Sequence, residues 1–306
     1  MTINLQLWHY QGALPAAIAG TEDLFRLANR FTAGPGFELQ VVDPSGASSL
    51  PHAQVVILPP FIDDRWEQAD AQVIARLQAL QGTGTLIAAC CASVFWLAEA
   101  GLLTGRTVTT HWALFDRLRQ FPGIKTVDQR NLVVDQGDIV TGGGLFAFQD
   151  LVLHLVSRFD RYATAKRIAD FAMIDLSSRL QSHYQRFYPD YSHGDAQVLA
   201  AQRLCEQQTE QAWSVSRLAD AVALSERTLA RRFQQALNLS PGEYLRQWRI
   251  EQAKQRLENT RQSIEAIAAD VGYSDVSNFV RAFRQNAGLS PAEFRDRKRP
   301  SHLADG

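Results

Sequence analysis

Residues 264–294, IEAIAADVGYSDVSNFVRAFRQNAGLSPAEF, decide the fold of the second part of this 306-residue chain. The same pattern occurs earlier in the sequence, 49 residues upstream over 215–225 and 50 residues upstream over 228–244. Matching residues recur in the same order, with Phe233 corresponding to Phe283 and LSP to LSP. Unrelated amphipathic helices would not preserve this order, so the sequence indicates an internal duplication.

Each copy has the pattern of two short helices joined by a tight turn. Ser214 and Ser263 precede segments with apolar residues at i, i+3 and i+4, where a serine hydroxyl can cap a helix. Ala-Leu in one copy and Gly-Tyr in the other occupy the turn. Ser225 and Ser274 are predicted to cap the second helix of each copy. Apolar residues predicted to be buried on these second helices are Leu229, Phe233, Phe279 and Phe283.

The second helices, predicted at about 226–236 and 275–286, carry side chains that suit DNA on their polar faces. Arginine can form two hydrogen bonds with guanine, and asparagine can do the same with adenine. Capping hydroxyls can hold phosphates without reading sequence. Two such helices, about 34 Å apart, would enter adjacent major grooves. The predicted DNA-binding residues are Arg227, Arg231, Arg232, Ser277, Asn278, Arg281, Ser225 and Ser274.

These residues belong to a segment, 195–300, that resembles the AraC/XylS-type DNA-binding domain. The resemblance covers about a hundred residues, and IAADVGYSDVSNFVRAFRQNAGLSPAEFR is close to that family's signature stretch. It implies an all-α domain with two helix-turn-helix motifs and the two base-reading helices given above. It also implies double-stranded promoter DNA as the partner, with RNA polymerase as a further one.

The first part of the chain alternates strand-like and helix-like segments. TLIAACC (85–91) has the pattern of a strand, and SVFWLAEAGLL (93–103) has that of a helix. DRWEQADAQVIARLQALQG (64–82) is predicted as one helix that ends at Gly82. This alternation predicts an α/β domain, flavodoxin-like with a mostly parallel sheet, over residues 1–190. The boundary is expected between Pro189 and Asp195.

Cys90 and Cys91 stand where a strand passes into a helix. A nucleophile elbow requires small residues two positions on either side of the nucleophile, and Ala89 and Ser93 satisfy this for Cys91. The following helix would direct its N-terminus at the thiol and lower its pKa. His111 is the candidate partner base. The alternative is that Cys91 is a buried small side chain and His111 a hydrogen-bonding group of a pocket.

Residues 1–160 resemble the class I glutamine amidotransferase-like fold of the PfpI/ThiJ type. AGTEDLFRLANR, CCASVFWLAEAGLLTGRTVTTHW and DIVTGGGLFAFQDLVLHLV carry the resemblance. It places the family's nucleophile at Cys91 and its histidine-bearing strand at His111. The glutamate of the enzymatic members falls near Leu14, and Ser93 replaces the usual elbow glycine. A thiolate without its proton partner is a weak catalyst, so the resemblance implies a degenerate site rather than an enzyme.

An amidase-like domain fused to an AraC-type DNA-binding domain resembles bacterial regulators in which the first domain senses an effector and dimerises. Members near this pattern respond to amino acids and quaternary amines. In open α/β sheets ligands bind beyond the carboxyl ends of the strands. Aromatic faces there suit a cation, although the same rings can equally pack in the core. The predicted effector-binding residues are Trp8, His9, Phe61, Cys91, His111 and Trp112.

Composition excludes several other classes. The chain has 31 Lys and Arg against 32 Asp and Glu, and three cysteines are too few for a disulfide framework. No ligand spacing predicts a metal, and no motif predicts a cofactor. No signal peptide is expected, and the longest apolar stretch, 86–98, is too short to span a membrane. These features predict a cytoplasmic protein, and the resemblance to the regulators described above implies a nucleoid-associated homodimer. Two alternatives stay open: a cysteine-dependent amidase or hydrolase with an attached DNA-binding domain, and a redox sensor that uses the two adjacent cysteines.

Overall fold

The computed structural model describes residues 2–46, 50–176, 180–207 and 213–298 of the chain. It divides into two compact units, Met1–Gln181 and Ser182–Gly306. The first unit is α/β and the second is helical, which confirms the predicted fold class. The division falls between Gln181 and Ser182, whereas the sequence predicted a boundary between Pro189 and Asp195.

The first unit is built on a six-stranded sheet with the order β2-β1-β3-β4-β8-β7. Its neighbouring strands are parallel except β7 and β8, which form an antiparallel pair at one edge. A second, two-stranded sheet pairs β5 with β6. The strands are β1 Thr2–Trp8, β2 Gly36–Val42, β3 Val55–Leu58, β4 Leu86–Cys90, β5 Thr107–Val108, β6 Thr126–Val127, β7 Val133–Asp135 and β8 Ile139–Gly142.

Helices cover both faces of the six-stranded sheet. The chain steps one way from β1 to β2 and the opposite way from β3 to β4, so right-handed crossovers put the intervening helices α1 and α2 on opposite faces. Helix α5 packs against α1 and α6, whereas α2 packs against α3. The helices are α1 Pro15–Phe31, α2 Ala71–Ala79, α3 Val94–Glu99, α4 Phe115–Leu118, α5 Phe148–Phe159 and α6 Tyr162–Phe171.

The segment 64–82 differs from its prediction as one helix. Residues Asp64–Glu67 form a separate 3₁₀ turn, and α2 begins only at Ala71. The side chain of Asp70 accepts a hydrogen bond from the backbone N–H of Gln72, at 2.8 Å, and thereby caps the helix. An aspartate competes for backbone donors within a helical pattern, which is why the single predicted helix is interrupted here.

The second unit contains two helical cores that share one long helix. Helix α10 contributes Tyr244 and Leu245 to the first core, and Ile250, Ala253 and Leu257 to the second. Residues 195–207 and 213–298 contain no strand. The helices of the unit are α7 Ala196–Gln207, α8 Val215–Ala221, α9 Glu226–Leu237, α10 Pro241–Asn259, α11 Ile264–Asp270, α12 Val276–Ala287 and α13 Pro291–Lys298.

Candidate DNA interface and sensor crevice

Helices α8 and α9 form the first helix-turn-helix. The hydroxyl of Ser214 accepts from the N–H of Arg217 at 3.2 Å, so the predicted cap of α8 is confirmed. Ser225 accepts in the same way from Thr228 at 3.2 Å and caps α9. Between the helices Ala223 adopts a left-handed conformation with φ 54°. The predicted apolar residues of α9, Leu229 and Phe233, are fully buried.

Helices α11 and α12 repeat this arrangement with one change at the cap. Ser263 caps α11, and Gly272 takes the left-handed position with φ 84°. Helix α12, however, is capped by Asp275, whose carboxylate accepts from the N–H of Asn278 at 2.7 Å. The prediction that Ser274 caps this helix is therefore wrong. The offset between the copies changes from 49 to 50 within the turn, so the counterpart of Ser225 is Asp275.

The polar faces of α9 and α12, called here the recognition helices, are open to solvent. Arg227 and Arg231 are exposed on α9. On α12 the side-chain oxygen of Asn278 accepts a hydrogen bond from the Arg281 guanidinium, which aligns two exposed polar side chains one turn apart. Ser277 is exposed beside them, and Ser274 is exposed in the preceding turn. These exposed groups have the donors and acceptors that base edges require.

Arg232 is placed differently from the other predicted DNA-binding arginines. Its guanidinium forms an ion pair with Asp195 at 2.8 Å, and the side chain is half-buried. Asp195 also accepts from the N–H groups of Gln197 and Val198, so it caps α7 at the same time. Arg232 therefore ties α9 to the start of α7. Because Asp195 lies 37 residues from Arg232 in sequence, helical periodicity could not predict this ion pair.

A charged cluster on α10 holds the segment that begins the second unit. Arg186 forms ion pairs with Glu251, at 3.3 Å, and with Glu258. The ammonium of Lys254 donates to the carbonyl of Gln185 at 2.8 Å. Burial lowers the pKa of Lys254 to about 8, against the opposing effect of Glu251. The sequence analysis missed these residues; their signal is the i, i+3 and i+7 spacing of Glu251, Lys254 and Glu258, which puts three charges on one face of α10.

The elbow predicted at Cys91 is present in the α/β unit. Cys91 has φ 60°, a left-handed conformation that is uncommon for a residue other than glycine. Ser93 is fully buried, and its hydroxyl accepts from the N–H of Cys90 at 2.9 Å. It also contacts the carbonyl oxygens of Cys90, at 2.7 Å, and Leu58, at 3.2 Å. Ser93 thus joins the ends of β3 and β4.

The Cys91 thiol has a raised pKa, contrary to the prediction. Burial raises it to about 11, although the backbone N–H groups of Ala92 and Gly144 act in the opposite direction. Helix α3 has only six residues and begins at Val94, so its dipole is small compared with the desolvation of the thiolate. Cys90 is fully buried, and its pKa is raised as well.

His111 lies near Cys91 without engaging it. Its Nδ1 accepts from the N–H of Ala113 at 3.2 Å, which caps a 3₁₀ turn and requires the neutral imidazole. Burial lowers the pKa of His111. Within the described ranges, no hydrogen bond joins His111 to Cys91. Leu14, near which the resemblance places the glutamate of the enzymatic members, is buried at the start of α1.

The other predicted effector-binding residues do not form one open surface. Phe61 is buried and contacts the rings of Tyr10 and Trp96, with centroids 4.7 and 4.9 Å away. Trp8 is also buried, and its indole N–H donates to Gln6. His9 is exposed. Of the predicted effector-binding residues, only Trp112 and His111 are half-buried, and their ring centroids lie 5.1 Å apart.

Sequence reasoning also missed Tyr10. Its hydroxyl donates to the carbonyl of Pro59 after β3, and burial raises its pKa well above the usual value.

In the part of the chain that the structure describes, no cluster of three or more His, Cys, Asp or Glu side chains is arranged to hold a metal. No helix among those residues is long and apolar enough to cross a membrane.

Two helix-turn-helix motifs on a shared helix, in a chain that also contains an α/β unit with an elbow, define a two-part DNA-binding regulator, and comparison with known proteins agrees. The helix-turn-helix domain family matches residues 218–297, and the DJ-1/PfpI family matches residues 63–158.

Curated relatives extend this agreement to most of the chain. The HTH-type transcriptional regulator ArgR of Pseudomonas aeruginosa is 30% identical over 226 residues, covering 73% of this chain and 68% of ArgR. GbdR of the same organism, also an HTH-type transcriptional regulator, is 27% identical over 260 residues, covering 84% of this chain and 70% of GbdR. A solved AraC family regulator from Pseudomonas putida aligns over 56% of this chain and 99% of its own, with 14% identity and a TM-score of 0.48.

The chain belongs to the AraC-type helix-turn-helix transcriptional regulators that carry a DJ-1/PfpI domain. It is a DNA-binding transcription regulator.

Proposed function

We propose that this regulator reads a promoter through both recognition helices at once. The observation that carries the proposal is the shared helix α10, which belongs to both helical cores and so fixes the spacing of α9 and α12. Because both helices expose polar side chains, each is equipped to enter a major groove. The proposed base contacts are made by Arg227, Arg231, Ser277, Asn278 and Arg281. Ser225 and Ser274 lie at the helix starts, where phosphates are held.

Arg232 is assigned a structural role in this proposal. Its ion pair with Asp195 would have to break before the guanidinium could reach a base. It therefore serves as an internal comparison with its neighbour Arg231, which is exposed on the same helix. Replacement of Arg232 should act through the packing of α9 on α7, and replacement of Arg231 should act on DNA contacts alone.

The test is a binding measurement on the full chain with a duplex selected from a random library. Arg231→Ala and Arg281→Ala should each weaken specific binding by about 1–3 kcal/mol, roughly 5- to 150-fold, because a bidentate base contact is lost. Arg26→Ala is the matched control, since Arg26 is an exposed arginine of the α/β unit paired with Asp23. Unchanged footprints in both recognition-helix variants would refute the assignment.

For the α/β unit we propose effector sensing and homodimerisation rather than catalysis. The half-buried pair His111 and Trp112, beside the Cys91 elbow, is the proposed effector site. A small nitrogenous metabolite, an amino acid or a quaternary amine, is the proposed class of effector. A true effector stabilises the protein by mass action, so thermal-shift screening of the full chain tests this, with His111→Ala as the comparison. The proposed place of action is the cytoplasm, on nucleoid DNA, with RNA polymerase as a further partner.

The alternative function is that of a cysteine-dependent amidase or hydrolase. The left-handed Cys91 and the two amides facing its thiol favour it, since this is the geometry of an elbow. Against it stand the raised pKa of Cys91 and the apolar Leu14 in place of the glutamate. We expect no saturable turnover of small amides. Turnover that disappears in Cys91→Ser would establish the enzyme.

A further inference from the structure

A hollow of about 520 Å³ lies between the sheet and α2 in the α/β unit. Side chains alternate along β1, so Leu5 and Leu7 point to the α1 face, and Gln6 and Trp8 point to the opposite face. The right-handed crossover from β3 to β4 places α2 over those two strands. The neighbouring face of β1 therefore forms the floor of the hollow, and α2 forms one wall.

The hollow is separate from the crevice at Cys91. Its lining includes Ala53, which precedes β3, and Thr85, which precedes β4, whereas Cys91 follows β4. Neither Cys91 nor His111 belongs to this lining. Of the predicted effector residues only Trp8 borders it. A ligand bound here would thus occupy a different place from the proposed effector site.

The chemistry of the lining favours a small organic anion. Arg76 of α2 and His52 supply the basic groups, and none of the described residues that line the hollow is Asp or Glu. With the Gln72 amide oriented so that both its atoms are satisfied, its oxygen accepts from Arg76 at 3.2 Å and its nitrogen donates to Ser45 at 2.9 Å. This contact orients the guanidinium of Arg76 on the α2 side of the hollow. A planar guanidinium matches a carboxylate through two parallel hydrogen bonds.

The remaining lining would hold the body of such a ligand. Trp8, Val56 and Leu80 provide apolar surface, and Thr85 adds a neutral hydroxyl. The volume falls within the range of small-molecule sites, about 300–1,000 Å³. We propose that this hollow binds an organic carboxylate, with the anionic group at Arg76 and the apolar body against Trp8 and Leu80.

Three probes of one shape and different charge test the proposal on the full chain by titration calorimetry: 4-phenylbutanoate, 4-phenylbutanamide and 4-phenylbutylammonium. The carboxylate should bind at least tenfold more tightly than the amide or the ammonium. Arg76→Gln should remove this preference, while Arg26→Gln, which changes an exposed arginine on the opposite face, should leave it intact. Equal binding of the three probes, or no binding up to 10 mM (roughly the weakest measurable site), would overturn the proposal.

A second pair of variants tests the location without removing a charge. Ala75 is an exposed residue of α2 that lines the hollow, and Gln78 is exposed on the same helix but outside it. Ala75→Phe should fill the space and abolish carboxylate binding, and Gln78→Phe should preserve it. His111→Ala should also preserve it. Binding that survives Ala75→Phe, or is lost in His111→Ala, refutes this site, and neither result bears on DNA recognition.

Discussion

The turn of each helix-turn-helix allows a paired stability prediction. Ala223 and Gly272 occupy the same left-handed position, with φ 54° and 84°. A residue with a Cβ costs about 1–2 kcal/mol there, whereas glycine costs about 0.4–1 kcal/mol in added freedom of the unfolded chain. Ala223→Gly should therefore stabilise the first motif by about 0.8 kcal/mol. Gly272→Ala should destabilise the second motif by a similar amount.

Hydrogen exchange with mass spectrometry on the full chain is the appropriate assay, because a protein of two units does not unfold in one step. A change of 0.8 kcal/mol corresponds to roughly a fourfold change in exchange rate. Peptides covering α8–α9 should exchange about fourfold more slowly in Ala223→Gly. Peptides covering α11–α12 should exchange about fourfold faster in Gly272→Ala.

Ala230 provides the control, since it is an exposed alanine in the interior of α9. Ala230→Gly is the same chemical change in the same motif, but in helical conformation it should destabilise by about 0.5–1 kcal/mol. The two alanine-to-glycine variants should thus change exchange in opposite directions. Faster exchange in Ala223→Gly would refute the argument from backbone conformation.

Three further predictions concern stability and pH. Gly288 ends α12 with φ 73°, and a Cβ there would lie 2.6 Å from the Ser182 hydroxyl. Gly288→Ala should therefore raise the hydrogen-exchange rate in α12 and α13 about tenfold. An unchanged exchange rate would contradict this prediction. The pKa of Cys91 is about 11, so the rate of its alkylation by iodoacetamide should rise about tenfold per pH unit up to pH 10. A rate that levels near pH 9 would indicate an ordinary thiol instead. The pKa of Lys254 in the folded protein is about 8, below its usual value. Between about pH 8 and 10 the unfolded state therefore binds more protons than the folded state. The free energy of unfolding of the helical unit should rise with pH over this range. Calorimetric melting should show this gain relative to Lys254→Met, and parallel pH profiles would contradict it.

Local signals explain why the helix-turn-helix pattern could be predicted from the sequence. Serine caps, apolar spacing and the duplication itself each act within a few residues, so Ser214, Ser225 and Ser263 cap as expected. The single error, Ser274, arose because one inserted residue shifts the cap to Asp275. The change of offset from 49 to 50 records this insertion, but Ser274 and Asp275 are both residue types that cap helices, so the sequence did not decide between them.

Long-range contacts and burial explain what the sequence could not provide. The ion pair of Arg232 with Asp195 depends on how α7 and α9 pack, and periodicity gives only a polar face. Trp8 ends β1 and Phe61 follows β3, as a ligand site requires, but their side chains are buried in the α/β unit. The thiol of Cys91 has the neighbours of a nucleophile, yet its pKa follows from desolvation, which depends on the assembled core.

The turn at Cys91 has the backbone geometry of a catalytic elbow, but its thiol does not have the low pKa of an activated nucleophile. A left-handed cysteine costs about 1–2 kcal/mol, so the surrounding packing must compensate for it. Ser93 supplies part of that compensation by joining the ends of β3 and β4, and Thr110 adds a hydrogen bond from its hydroxyl to the Cys91 carbonyl at 2.7 Å. None of these contacts requires a thiolate, and burial disfavours one. Because the turn is held by structural hydrogen bonds, it can shape a pocket without a reactive thiolate, as the proposed sensing role of this unit requires.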